Sequence, residues 1–258
     1  MERKMVFFDL DGTLLDGENR IVPSAKEAIR ELKEKGVIVA IATGRAPFMF
    51  AHIREELSID SYVSFNGQFV VKEGEPIYKN PLERDCLRKL DREAGENGHP
   101  LVYLDHLEMK ANLTGNPYIK ESLGSLNFSY PPVDPGFFLS RDIYQALLFC
   151  KGNDETTYRE KYSSIEMIRW HEFSVDVIPA GGSKARGIKC LLEHYQVERE
   201  NAYAFGDGLN DVQMLSFVGT GVAMENAATE AKQAAAFVTK SASDDGIVYG
   251  LKKLKLLK

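Results

Sequence analysis

Apolar residues fall into short runs alternating with amphipathic stretches at both ends of this chain, and into a different, looser pattern between them. Met5-Val6-Phe7-Phe8 is an uninterrupted apolar run of strand length. Beyond it, Ala25, Ala28, Ile29 and Leu32 recur at helical spacing, with Ser24 placed to cap the helix and Gly36 to end it. Val37 to Ala42 is continuous, apolar and β-branched, as expected of a parallel strand covered on both faces. A helix over Pro47 to Leu57 and a short strand over Tyr62 to Phe65 follow. Phe69-Val70-Val71 and Pro76-Ile77-Tyr78 then flank Glu73-Gly74 as a hairpin. The rhythm returns from Ser183: a helix to Tyr195, a strand over Ala202 to Phe205, a helix after Asn210, and a strand over Val218 to Ala223.

Between these stretches the character changes. Leu82 to Glu96 is helical and charged, and after Gly98 the pattern predicts short strands separated by loops rich in Pro, Gly and Asn. Tyr144 to Cys150 and Ile165 to Trp170 read as strands on either side of a helix around Asp154 to Tyr162. The predicted fold class is α/β. Residues 1–81 and 183–258 form one parallel-sheet core, and residues 82–182 form an inserted α+β domain. The end of the chain, Leu251 to Lys258, reads as a terminal helix resting on that core rather than as a membrane-surface helix.

Charge narrows the partners. Across 258 residues, 32 Lys+Arg stand against 38 Asp+Glu, a formal charge of -6, so no overall basic field draws nucleic acid or an anionic membrane. Met1-Glu2-Arg3-Lys4 leads straight into the first strand without the apolar segment of a secretion signal, and a cytoplasmic protein is expected. Cys86, Cys150 and Cys190 share no CxxC spacing, and His52, His99, His106, His171 and His194 are scattered. Neither set suggests a disulfide framework or a zinc site.

The candidate chemistry lies where strands end. Asp9-Leu10-Asp11-Gly12-Thr13 directly follows the first apolar run, Thr43-Gly44-Arg45 follows the second, and Gly206-Asp207-Gly208-Leu209-Asn210-Asp211 follows the strand ending at Phe205. Lys184 opens a helix. In open α/β sheets, ligands bind outside the carboxyl ends of the strands, so these four pieces can converge there. A carboxylate attacks phosphorus only when the charge of the phosphoryl dianion is screened, and Asp9 with Asp207 at adjacent strand ends would make a hard oxygen site suited to Mg²⁺. Lys184 adds a point charge, Thr43 a hydroxyl, and Gly44 room for backbone N–H groups to face an anion. Each piece alone has a plainer reading: an Asx turn, a helix-start loop, a first-turn lysine, or a calcium-like loop lacking the terminal Glu of an EF-hand. It is their order and joint placement that point to a site.

The chain resembles the haloacid dehalogenase superfamily of phosphotransferases, in its Cof-type branch (type IIB, with a C2 cap). Four pieces carry the likeness: FFDLDGTLL (Phe7 to Leu15), IATGR (Ile41 to Arg45), Lys184 in SKARGI, and AFGDGLNDVQML (Ala204 to Leu215). GVAMENA (Gly221 to Ala227) and Ser243-Asp244-Asp245-Gly246 are also similar to that branch, whereas residues 82–182 carry no diagnostic motif. The resemblance implies an α+β cap that governs substrate specificity and an Mg²⁺-dependent phosphatase acting on phosphate monoesters of small metabolites, sugar phosphates or phosphorylated cofactors. Asp9 is then the nucleophile that forms an aspartyl-phosphate. Asp11 protonates the leaving oxygen and afterwards activates water. Mg²⁺ falls to the side chains of Asp9 and Asp207 and the main-chain carbonyl of Asp11. Thr43, Gly44, Lys184 and Asn210 hold the phosphoryl group. Asp211 would orient Lys184 or a metal-bound water, and Arg45 would either reach substrate or pair at the surface. The expected partner is a small phosphorylated metabolite, with no nucleic acid and no membrane, the chain acting as a monomer or homodimer. A phosphomutase with the same nucleophile, or a non-catalytic phosphometabolite-binding regulatory protein, are the alternatives. Two positions depart from the branch: Ala185 follows Lys184 where Gly is usual, and Asn66-Gly67-Gln68 stands for Asn-Gly-Ala.

Overall fold

A computed structural model describes residues 2–258. Strand β1 (Met5–Phe8) is apolar and buried at all four positions. Helix α1 (Pro23–Glu34) buries Ala25, Ala28, Ile29 and Leu32, and Gly36 follows it in the left-handed region at φ +76°. Its start differs from the expected one. Val22 is the N-cap, Pro23 begins the helix, and Ser24 sits inside the first turn with its Oγ buried and unpartnered. The fixed φ of proline suits the first helical position and starts the helix ahead of the serine. Next come β2 (Ile38–Ala42), a 3₁₀ turn over Pro47–Phe50, α2 (Ala51–Leu57) and β3 (Tyr62–Ser64). β4 (Phe69–Lys72) and β5 (Glu75–Lys79) form the hairpin, with Glu73 and Gly74 both at positive φ as a tight two-residue turn requires.

The middle of the chain holds α3 (Arg84–Glu96), β6 (Leu101–Leu104), β7 (Met109–Ala111), α4 (Pro117–Ser125), α5 (Phe137–Ser140), β8 (Gln145–Phe149), α6 (Glu155–Lys161), β9 (Ile165–His171) and β10 (Ser174–Pro179). The five strands make an antiparallel sheet in the order β7-β6-β8-β10-β9. Leu87, Leu90 and Ala94 of α3 share a buried cluster with Tyr103, Leu148, Val175 and Val177 of the sheet. Here the pattern of strands and loops needs correction. Two of the segments after Gly98 are helices, α4 capped by the Asn116 side chain and α5 only four residues long, and β10 was not anticipated. Asn116-Pro117 reads as a turn but is a cap followed by proline at the first helical position.

The chain closes with α7 (Lys184–Tyr195), β11 (Ala202–Gly206), α8 (Val212–Phe217), β12 (Thr220–Ala223), α9 (Thr229–Ala234), β13 (Phe237–Val238) and α10 (Gly246–Lys253). The terminal helix ends at Lys253, and the stretch beyond it is irregular, with Leu256 and Leu257 buried. The two outer segments complete one eight-stranded sheet, β13-β12-β11-β1-β2-β3-β4-β5, parallel from β13 to β3. From β1 the chain builds toward β3 on one side and resumes at β11 on the other. The strand order therefore reverses at β1, and a crevice opens at the carboxyl ends of β1 and β11.

The chain divides into two compact units: residues up to Arg45 with Met49–Lys79 and Ser183–Lys258, and Ala46–Phe48 with Asn80–Gly182. Among the described residues, no helix is long and apolar enough to cross a membrane.

Candidate active site

The parallel ladder carries two aspartates out of the sheet side by side. Phe8 pairs with Phe205, the Asp9 N–H donates to the Phe205 carbonyl at 3.0 Å, and Asp207 follows Gly206 at the end of β11. Gly12 is required on two counts. It lies at φ +75°, and a Cβ there would sit 2.2 Å from Asp207 Oδ2. Thr13 Oγ1 donates to Asp207 Oδ1 at 2.9 Å, and Asn226 Nδ2 donates to the Gly12 carbonyl at 2.9 Å and to Asp207 Oδ2 at 3.3 Å.

Lys184 is the first residue of α7, which Ser183 caps by accepting the Arg186 N–H. Its side chain is fully buried, and Nζ donates to Asp9 Oδ1 and Asp211 Oδ1, each at 2.6 Å. The other oxygen of Asp211 accepts the N–H groups of Asp207 and Gly208, both at 2.8 Å. Both oxygens of Asp211 are thus occupied. It orients Lys184 and shapes the loop that presents Asp207.

Thr43 follows β2 and is buried, its N–H held by the Val63 carbonyl at 2.9 Å and its Oγ1 accepting the Arg45 N–H at 3.1 Å. Arg45 pairs with Asp11 as a fork: Nε donates to Oδ2 at 2.9 Å and Nη2 to Oδ1, with Nη2 also reaching Asn19 Oδ1 at 3.2 Å. Asn210 Nδ2 donates to Asn66 Oδ1 at 3.0 Å, and the Asn66 amide packs where a Gly44 Cβ would stand, 3.1 Å away. Asp9, Asp207, Asp211 and Lys184 therefore form one cluster, while Asp11 is engaged with Arg45 and Asn210 with Asn66. Reasoning from sequence assigned no role to Thr13, Asn66 or Asn226. Thr13 lies inside the first motif and Asn226 inside GVAMENA, so both were in view. Nothing in the residue pattern indicated that their side chains turn toward Asp207.

Three carboxyl groups crowd around one ammonium, so full ionisation of all three is disfavoured. Burial, with Asp211 alongside, raises the Asp9 carboxyl well above the ordinary aspartate value despite the pull of Lys184. Burial likewise pushes Asp207 up to about 6, against the Thr13 hydrogen bond. Burial opposes the charge of Lys184, but Asp211 and Asp9 more than offset it and hold the ammonium protonated. Carboxylate oxygens of Asp9, Asp207 and Asp211 lie within 4.8 Å of one another. This all-oxygen cluster, whose carboxylates burial and mutual repulsion disfavour in the absence of a cation, fits a divalent metal ion.

The family model of the haloacid dehalogenase-like hydrolases matches residues 6–251. The chain belongs to this family. It is 47% identical to YkrA of Bacillus subtilis (strain 168), provisionally named a phosphatase, with 100% of each chain covered. Among solved structures, it is similar to a hypothetical protein of Geobacillus kaustophilus HTA426 at 56% identity and TM-score 0.96, covering 99% of this chain and 100% of that one. It is also similar to the subclass IIB sugar phosphatase BT4131 at 28% identity and TM-score 0.86, covering 98% of this chain and 100% of that one. The α/β core and the enzyme class, a phosphatase of this superfamily, agree with the reading from sequence.

Proposed function

We propose that the protein hydrolyses phosphate monoesters of small metabolites through a covalent phosphate on Asp9, with Mg²⁺ held by Asp9 and Asp207. The observation that carries this reading is the position of Asp9. Its carboxylate emerges at the strand-order reversal, tethered by Lys184 through one oxygen, with Asp207 beside it. Asp211 is fully buried behind Lys184 and bonded to two backbone N–H groups, and, following the resemblance, Asp9 and Asp207 are the carboxylate ligands. By the resemblance, the share of Asp11 in holding the ion falls to its main-chain carbonyl. Bound there, Mg²⁺ supplies the positive charge that screens the phosphoryl dianion from an anionic nucleophile.

The protein's own groups divide the remaining tasks. An Asp9 oxygen attacks phosphorus, the ester P–O bond breaks, and the electron pair leaves with the ester oxygen, which takes a proton from Asp11. Asp11 then removes a proton from water as that water attacks the aspartyl-phosphate, freeing Asp9 and inorganic phosphate. Both steps require the Arg45 fork on Asp11 to open, since both Asp11 oxygens are engaged in it. Lys184, the Thr43 hydroxyl, the Gly44 backbone and Asn210 hold the phosphoryl group. The inserted unit, residues 82–182 in the reading from sequence, selects the leaving group as a C2-type cap. The likeness to the sugar phosphatase BT4131 favours sugar phosphates as the first substrate class. A cytoplasmic location and a monomer or homodimer belong to the same reading.

The test is release of inorganic phosphate from a panel of phosphate esters, with Mg²⁺ and with chelator, by wild type and Asp9→Asn. Metal-dependent release by wild type alone supports the proposal. An isomeric phosphate without net inorganic phosphate would mark a phosphomutase, and binding without either product a regulatory protein.

A further inference from the structure

The short turn Phe65–Gly67 has a backbone that is unfavourable by itself. Phe65, Asn66 and Gly67 all lie at positive φ, +50°, +51° and +95°, and all three are buried. Two of them carry a Cβ, and phenylalanine has no polar side chain with which to offset the left-handed conformation. A turn of this kind persists only where its surroundings hold it.

Three separate pieces of the candidate site meet at it. The Phe65 N–H donates to the Arg45 carbonyl at 3.3 Å and the Asn66 N–H to the Thr43 carbonyl at 3.2 Å, so the turn is bonded to both ends of the Thr43-Gly44-Arg45 loop. Gly67 packs on the residue preceding Lys184, close enough that a Cβ would stand 2.0 Å from the Ser183 carbonyl oxygen. The Asn66 side chain accepts from Asn210 Nδ2 at 3.0 Å and lies flat against Gly44.

We infer that Asn66 is a positioning residue of the phosphate site, its left-handed backbone setting the Thr43 loop and its side-chain oxygen setting the amide of Asn210. Asparagine suits both tasks. It tolerates positive φ better than other residues with a side chain, and it supplies a neutral acceptor to Asn210 where a carboxylate would add a charge repelling a bound phosphate. With one Nδ2 hydrogen of Asn210 committed to Asn66, the other has a fixed direction. The inference rests on the phosphatase reading, because Asn210 and Thr43 are phosphate contacts only in that reading.

Asn66→Gly separates the two tasks, since glycine accepts the backbone conformation and removes only the side chain. The measurements are melting temperature, kcat/KM on an aryl and an alkyl phosphate, and inhibition by inorganic phosphate, for wild type, Asn66→Gly, Asn210→Ala and the double variant. Expected are a melting temperature at or above that of wild type and a fall in kcat/KM of about 10- to 100-fold, equal for both substrates. Inhibition by phosphate should weaken in parallel, and the double variant should be no worse than Asn210→Ala alone, because Asn66 acts through Asn210. Wild-type kcat/KM in Asn66→Gly, losses that multiply in the double variant, or a loss that follows a collapsed melting temperature would each overturn the inference and leave the phosphatase standing. Wild type that releases no phosphate from any ester would overturn both.

Discussion

The two sheets place their polar residues differently. In the eight-stranded sheet, β1 and β11 are apolar almost throughout, and β2 is buried at four of five positions, with charged groups absent until the strands end. In the antiparallel sheet, β9 alternates buried Ile165 and Met167 with exposed Glu166 and Ile168. Its unit distributes polar contacts widely, with Arg141 on Asp105, Arg169 on Glu155, and Asn97 and His99 on Tyr158. A parallel strand covered on both faces has nowhere to hold a charge except its end, so functional groups gather there. A sheet whose edge strand meets solvent on one face can carry polar residues along its length, and they then serve as structural ties as readily as a site.

The largest effect that tests this contrast is Asp9→Asn. Turnover should fall by about 10⁴-fold or more, the scale of removing a covalent nucleophile, with melting temperature nearly unchanged because the amide relieves crowding among the carboxylates. Phosphate-release assays and thermal melts check both parts, and residual activity close to wild type would mean that the strand ends do not hold the nucleophile.

Asp211→Ala should cost the first unit about 3–5 kcal/mol in urea unfolding, because it leaves buried Lys184 half-paired and two N–H groups unsatisfied. A small loss would show that the buried cluster relaxes easily. Gly12→Ala adds a Cβ 2.2 Å from Asp207 Oδ2 at positive φ. Displacing Asp207 by an ångström should lower kcat by about 100-fold. Steady-state kinetics close to wild type would show that the aspartate need not sit where the ladder places it.

The smallest effect lies in the other sheet. Burial pushes the half-buried Asp176 carboxyl from its ordinary 3.8 up to about 7, outweighing a hydrogen bond from Gln145. The folded protein then keeps a proton that the unfolded chain releases. The stability this carries is complete below about pH 4 and is lost as pH rises through about 7. Between pH 5 and pH 8, wild type should lose about 1–2 kcal/mol more than Asp176→Asn in urea unfolding. Equal losses would place the carboxyl near its ordinary value.

The same contrast explains what could be read from the chain alone. β1, β2, β11 and the four buried positions of α1 were legible because period and composition agree there. α4 and α5 were not, because a nine-residue helix containing Gly124 and a four-residue one lie among the Pro, Gly and Asn that mark loops. Asp9, Asp11, Lys184 and Asp207 stood out as residue types at strand and helix ends. Arg45 was left open between reaching substrate and pairing at the surface, and the structure pairs it with the half-exposed Asp11.

Sequence by itself determined the order of the core elements around the parallel sheet and the strand ends at which carboxylates appear, because each depends on neighbours a few residues apart. Tertiary structure alone decided that Asp211 meets Lys184, that Thr13 and Asn226 turn onto Asp207, and that a strained turn at Asn66 joins three distant motifs. They include bonds between groups as far as 194 residues apart in the chain, such as Thr13 to Asp207, made only once β1 and β11 lie side by side. No local pattern encodes their direction.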